Sequence, residues 1–152
     1  MQNRMEDMME TKIKLGFTGT REGMSPQQLG ALGQWLGVHL PDIAEFHHGD
    51  CIGADMQAHD LVDALKRSRF SGIAIHSHPG NIKPMQALSK ADVVYQPKPP
   101  LERNRDIVAA SDRMFAAPLN ESGRGGTWMT IRWAQSHGTP TTIILPDGSH
   151  LK

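Results

Sequence analysis

The sequence predicts an α/β domain: an open, mostly parallel sheet of about five strands with helices on both faces. Three observations carry this. Short apolar runs bounded by Gly, Pro and Asp alternate with stretches of helical period. Glycine-rich segments follow several of those runs, at the places where strands feed helices in such folds. The length of 152 residues, 38% of them hydrophobic, suits one core and is too short for two.

The elements follow in order. The first strand is expected at 13–17, closed by Thr18-Gly19-Thr20-Arg21. Ser25 caps the first helix, Pro26 suits its first turn and Gln28 completes a capping box. Leu29, Leu32, Leu36 and Leu40 then recur at helical spacing until Pro41. Strand two is read at 43–47, followed by the loop 48–53 and a helix with Ala58, Leu61, Val62 and Leu65 on one face, ending before Gly72. Strand three is read at 73–76. From 77 to 100 the text turns Pro-rich and is too long for an ordinary connection, so it reads as a functional loop or lid with a short strand at 93–95. A helix at 101–111, strand four at 113–117, a Gly-rich turn at 122–126, a helix at 127–137 and strand five at 141–145 complete the series.

Sixteen Lys and Arg balance sixteen Asp and Glu, which removes the broad attraction that binders of long nucleic acid or anionic membranes depend on. An anionic partner is therefore expected to be small or locally gripped. No apolar stretch approaches the roughly 18 residues of a membrane helix, and the Met-rich start alternates charge with Met where a signal peptide would be apolar. With a single Cys51 there is no internal disulfide. The expectation is a soluble cytoplasmic protein, with a flexible segment at 1–12 and one domain at 13–152.

Three loops have the composition of an anion site at the carboxyl edge of the sheet. Gly19-Thr20-Arg21 offers backbone donors and a guanidinium; the run from Gly49 and Asp50 through Gly53 to Asp55 allows close backbone approach and opens a helix; Ser122 to Thr127, with Gly125 and Gly126, does the same and adds hydroxyls. The alternative, that these glycines only make tight turns, is weakened by three such loops converging on one edge. His48 and His76 join the expected ligand-binding set as loop hydrogen-bonders. No metal site is expected: His47 and His48 point to opposite faces of a strand, and His76 and His78 converge only if their strand continues. The position of Cys51 before a helix favours thiolate character, although a packing role is the better reading. Trp128 and Trp133 read as core, with stacking on a base as the alternative.

The ordered combination of Gly19-Thr20-Arg21, His48-Gly49 with Gly53-Ala54-Asp55, Arg103-Asn104-Arg105-Asp106-Ile107 and Gly125-Gly126-Thr127 resembles the SLOG superfamily over about 14–146. The 101–108 stretch looks most like the DprA type; His48-Gly49 to Asp55 looks like the small bacterial and phage proteins of the YspA type. The resemblance implies a Rossmann-like fold that binds nucleotide-derived ligands, often as a dimer, and it adds Arg103 and Asn104 to the expected site. LOG-type phosphoribohydrolases of this superfamily carry a catalytic Glu where Thr130 falls here, and a hydroxyl cannot replace a carboxylate that takes a proton or steadies an oxocarbenium-like charge.

The function expected is therefore binding of a nucleotide-derived small molecule of the ADP-ribose or cyclic nucleotide type, by a homo-oligomer without cofactor or metal. The role would be sensing or sequestration, as in a phage-type sponge of a defence signal. The rival is an N-glycoside or phosphoribosyl hydrolase with a carboxylate displaced to Asp50, Asp55 or Glu121. In the binding reading, Arg21 and Arg103 grip one anion from opposite sides.

Overall fold

A computed structural model describes residues 12–151. Of the segment expected at 1–12, all but Lys12 lies outside the described residues. The first apolar run forms β1 (Ile13–Gly19), and Ser25 then starts α1 (Pro26–His39) through a complete capping box with Gln28. A short 3-10 turn at Leu40–Asp42 leads into β2 (Ile43–His48), followed by α2 (Ala54–Ser68) and β3 (Ala74–Ser77). The Pro-rich segment contributes β4 (Val93–Val94). The chain closes with α3 (Pro100–Ala110), β5 (Arg113–Ala117), α4 (Gly126–Ser136), β6 (Thr141–Ile144) and β7 (His150–Leu151).

The strands form one seven-stranded sheet in the order β4-β3-β2-β1-β5-β6-β7, parallel except where β7 folds back on β6. Side chains alternate across it, which is why single strands feed two cores. Leu15, Phe17, Phe46, Ile75 and Phe115 pack with Leu32 and Leu36 of α1 and with Ala58 and Val62 of α2. On the opposite face Met114 packs with Ile107 and Val108 of α3, and Ala116 and Ile143 pack with Trp128 and Ile131 of α4. The chain thus winds outward from β1 to β4, returns through α3 and winds the other way from β5. Two strands that leave β1 in opposite directions open a crevice at their carboxyl ends, where α/β sheets bind ligands.

Two edge strands of two residues each extend the expected five. The 93–95 run pairs with β3 over Val93–Val94. The missed β7 follows Pro146-Asp147-Gly148, with Gly148 at φ +88° and its N–H donating to the Leu145 carbonyl. Asp-Gly between potential strands is a hairpin signal, and it went unread because only two residues follow it into the sheet. The segment at 77–100 differs from a lid. The Ile52 N–H donates to the Met85 carbonyl, the Ala87 N–H to the Asp50 carbonyl and the Ser89 N–H to Asp50 Oδ1, so it forms a wall tied to the loop after β2.

Candidate functional site

A cleft of about 400 Å³ lies at the carboxyl ends of β1, β2 and β5. Gly19, Thr20 and Arg21 line it from the loop after β1, and Gly49, Asp50 and Asp55 from the segment between β2 and α2. Arg103 and Asn104 of α3 and Gly125, Gly126 and Thr127 at the start of α4 complete the part that the sequence places there.

The local backbone explains how these segments come so close. Gly53, at φ +90°, sits against the backbone of Arg21, and any Cβ there would run into the Arg21 carbonyl. The Ala54 N–H donates to the Thr20 carbonyl at 3.0 Å, locking the start of α2 to the loop after β1. Gly125 has φ +96° and ψ 176°, a region that only glycine enters readily. No side chain caps α4, and Gly125 to Trp128 face the cleft, so the first N–H groups of that helix remain available to an anion.

Three guanidinium groups border the cleft, and they differ in what holds them. Arg21 is exposed and, among the described residues, has no carboxylate within ion-pair distance; Nη1 contacts only the Met85 sulfur, at 3.3 Å. Arg124 is likewise exposed at the rim. Arg103 is a clamp: Nη1 donates to the carbonyls of Gly49 and His78, which ties the loops after β2 and β3 to α3. Its Nε is buried without a partner, leaving one donor of the fork unmatched. Asp106, a carboxylate near Arg103 in sequence, is paired instead with Lys98 at 2.7 Å.

The carboxylates of the cleft are partly engaged. Asp50, at φ +50°, accepts from the Ser89 N–H. Asp55 Oδ2 accepts from the Cys51 N–H at 3.2 Å; burial pushes the Asp55 carboxyl up to about 6, with the Arg103 charge opposing the rise. Burial, with the Asp55 charge adding to it, raises the Cys51 thiol, so its place before the helix does not give it thiolate character.

Four expected site residues lie away from the lining. His48 is fully buried, with Nδ1 accepting from the Asp50 N–H at 2.9 Å and Nε2 facing His59 Nδ1 at 2.9 Å. That arrangement keeps it neutral, and burial drives its pKa down to about 3. It shapes the cleft loop from behind. Gly53 does so through the close approach already described. His76 stands on β3, its Nδ1 2.8 Å from the Tyr95 hydroxyl, and Ser122 is exposed, its hydroxyl accepting from the Arg124 N–H at 3.2 Å.

Other residues at or near the cleft were legible only in part. Thr130 is buried and its hydroxyl donates to the Gly126 carbonyl at 2.9 Å, so it serves its own helix and does not line the cleft. Glu121 is exposed and also outside the lining. Trp128 packs in the core and still reaches the cleft wall, with Nε1 donating to the Asn120 carbonyl. Trp133 carries Arg105 on its ring at 4.2 Å. Sequence reasoning missed Met85 and Gln86, which line the cleft from the Pro-rich segment; no motif marks them, since the backbone bonds to Asp50 and Ile52 bring them there.

No family model matches the chain, and no curated protein matches it. Among solved structures, DNA processing protein A from Helicobacter pylori, described for its single-stranded DNA binding mode, is 15% identical with a TM-score of 0.58, over 91% of this chain and 67% of that one. The molybdenum cofactor binding protein from the phototrophic bacterium Rippkaea orientalis is 16% identical with a TM-score of 0.63, over 88% of this chain and 77% of that one. At these identities the likeness is one of fold, and the fold is Rossmann-like. No helix among the described residues is long and apolar enough to cross a membrane.

Proposed function

We propose that the chain is a SLOG-type domain, spanning 13–152, that binds a nucleotide-derived anion of the ADP-ribose or cyclic nucleotide type in the β1–β5 cleft. The observation that carries this is the uncapped start of α4, with Gly125 and Gly126 open toward the cleft and Arg21 at its edge without a carboxylate partner among the described residues. Backbone N–H groups at a helix start and a forked guanidinium together suit phosphate oxygens. The neutral overall charge supports a small ligand over long nucleic acid. A cytoplasmic homo-oligomer that senses or sequesters a nucleotide signal fits such a binder, on the pattern of the YspA type that the His48-Gly49 to Asp55 run resembles.

Asp55 favours a second reading, hydrolysis of an N-glycosidic bond. It is a cleft carboxyl raised to about 6, in the range of a general acid or base at neutral pH. The binding reading stands ahead because Asp55 already holds the Cys51 N–H and Thr130 occupies the position of the LOG carboxylate.

Thermal melting with a panel of mononucleotides, cyclic dinucleotides and ADP-ribose, set against long single-stranded DNA, tests the proposal. A ligand at one hundred times its Kd adds about 2.7 kcal/mol and raises the melting temperature. Stabilisation by DNA alone overturns the small-ligand reading. Release of free base from any of the panel at about 1 per second or faster, abolished by Asp55→Asn, moves the assignment to the enzyme.

A further inference from the structure

On the sheet face that carries α3, β2 and β3 present a second cluster that the anion cleft does not use. Glu45 and His47 alternate on β2 and so share a face, and His47 lies opposite His76 in the parallel register with β3. Glu45 Oε1 is 2.8 Å from His47 Nε2 and 3.6 Å from His76 Nε2. One ligand-capable atom from each of the three lies within 4.8 Å of the other two.

The far side of each imidazole is already held. His47 Nδ1 is 2.8 Å from His78 Nε2, and His76 Nδ1 is 2.8 Å from the Tyr95 hydroxyl. Both rings are therefore oriented so that their Nε2 atoms point at the same carboxylate. Outer partners that fix ring orientation and tautomer in this way are what a histidine–metal centre requires. The distances are also compatible. Zinc bonds of about 2.0–2.2 Å in tetrahedral array separate ligand atoms by roughly 3.4 Å, and the two Glu45 distances bracket that value. His47 is buried, while the side chains of Glu45 and His76 are 27% and 12% exposed, which leaves one side open to solvent and to an entering ion.

We propose that Glu45, His47 and His76 form a binding site for a divalent transition-metal ion, preferentially Zn²⁺, with water in the fourth position. On binding, His47 stays neutral and changes tautomer: its proton moves from Nε2 to Nδ1 by exchange with solvent, so that Nε2 takes the ion and Nδ1 donates to His78 Nε2, while His78 carries its own proton on Nδ1 and no net proton is released. Two imidazoles and one carboxylate suit zinc better than the all-oxygen preference of Mg²⁺ or Ca²⁺. The ion would join β2 to β3 beside the edge strand β4, and through His78, whose carbonyl accepts from Arg103, it would brace the wall behind the cleft.

The test is competition titration of Zn²⁺ against a chromogenic chelator, using the full chain. The expected result is one Zn²⁺ per chain, undisturbed by a large excess of Mg²⁺. Glu45→Gln and His76→Ala should each weaken binding more than about tenfold, and Tyr95→Phe about tenfold, through loss of outer-sphere orientation. His137→Ala, which changes an imidazole bonded to Trp133, should leave affinity unchanged. Circular dichroism checks that each variant is folded, and Glu45→Gln decides alone if His76→Ala is not. Absence of stoichiometric Zn²⁺ binding, displacement by Mg²⁺, or binding unaffected by Glu45→Gln overturns the site.

Discussion

Arg21 and Arg103 occupy one cleft and do different work. Arg21 has no carboxylate partner among the described residues, so Arg21→Ala is expected to weaken nucleotide affinity roughly tenfold to a hundredfold, the equivalent of a charged hydrogen bond, while the melting temperature stays near that of the parent. Titration calorimetry checks the first part and a thermal melt the second. Arg103 supports two loops, so Arg103→Ala should lower affinity and stability together. Gly53 is a second residue-scale test: Gly53→Ala places a methyl group in the Arg21 carbonyl at a positive φ, and should destabilise the fold and remove binding. The positions of Arg21 and of Gly125 and Gly126 at the cleft were readable in the sequence because a strand end and a turn set them locally. The clamp made by Arg103 was not, because its acceptors are backbone carbonyls more than twenty residues away, and carbonyls carry no sequence signature.

At the scale of elements, α1 shows both what patterning reveals and what it hides. The capping box is read directly from Ser25-Pro26-Gln27-Gln28, but Gln28 is also buried, and its Nε2 donates to the carbonyls of Pro118 and Ile144 at 2.8 Å each. One amide therefore joins the helix start to the ends of β5 and β6. Gln28→Leu removes this donor from two buried carbonyls and should cost about 2–4 kcal/mol in urea denaturation, while Ser25→Ala, which loses the cap and the hydroxyl's bond to the Pro146 carbonyl, should cost about 1–2 kcal/mol. Equal effects from the two substitutions would contradict the bridging role. The edge strands were harder to read than the helices because two residues are too few to show alternation; β4 was anticipated only through Val93, Val94 and Tyr95. The wall from the Pro-rich segment depends on bonds to Asp50 and Ile52 across the fold, which no local pattern encodes.

The whole molecule should be acid-sensitive. Burial lowers His48 to about 3 and His78 to about 4, and it lowers His47 as well, so the folded chain keeps these imidazoles neutral where the unfolded chain takes up protons. Their contribution to stability is complete above the ordinary histidine value of 6.5 and drains away as pH falls toward 4 and 3. Asp55 runs the other way: its raised carboxyl favours the folded chain below the ordinary 3.8, an advantage lost as pH rises through about 6. Three histidines against one carboxyl give a net loss, so the melting temperature should fall between pH 7 and pH 4.5; a constant or rising value would contradict the buried neutral network.

The central claim is that a nucleotide-sized anion binds where β1 and β5 diverge. Two-dimensional amide spectra of the labelled full chain, recorded during titration with ADP-ribose and with a cyclic dinucleotide, test it most directly. With at least one of these ligands, the resonances of Gly125, Gly126 and Thr127 and of the loop at Thr20 and Arg21 should move together and saturate, while those of the exposed α2 end near Arg69 stay in place. Spectra unchanged by either nucleotide, or changes confined to residues outside the cleft, would contradict the account.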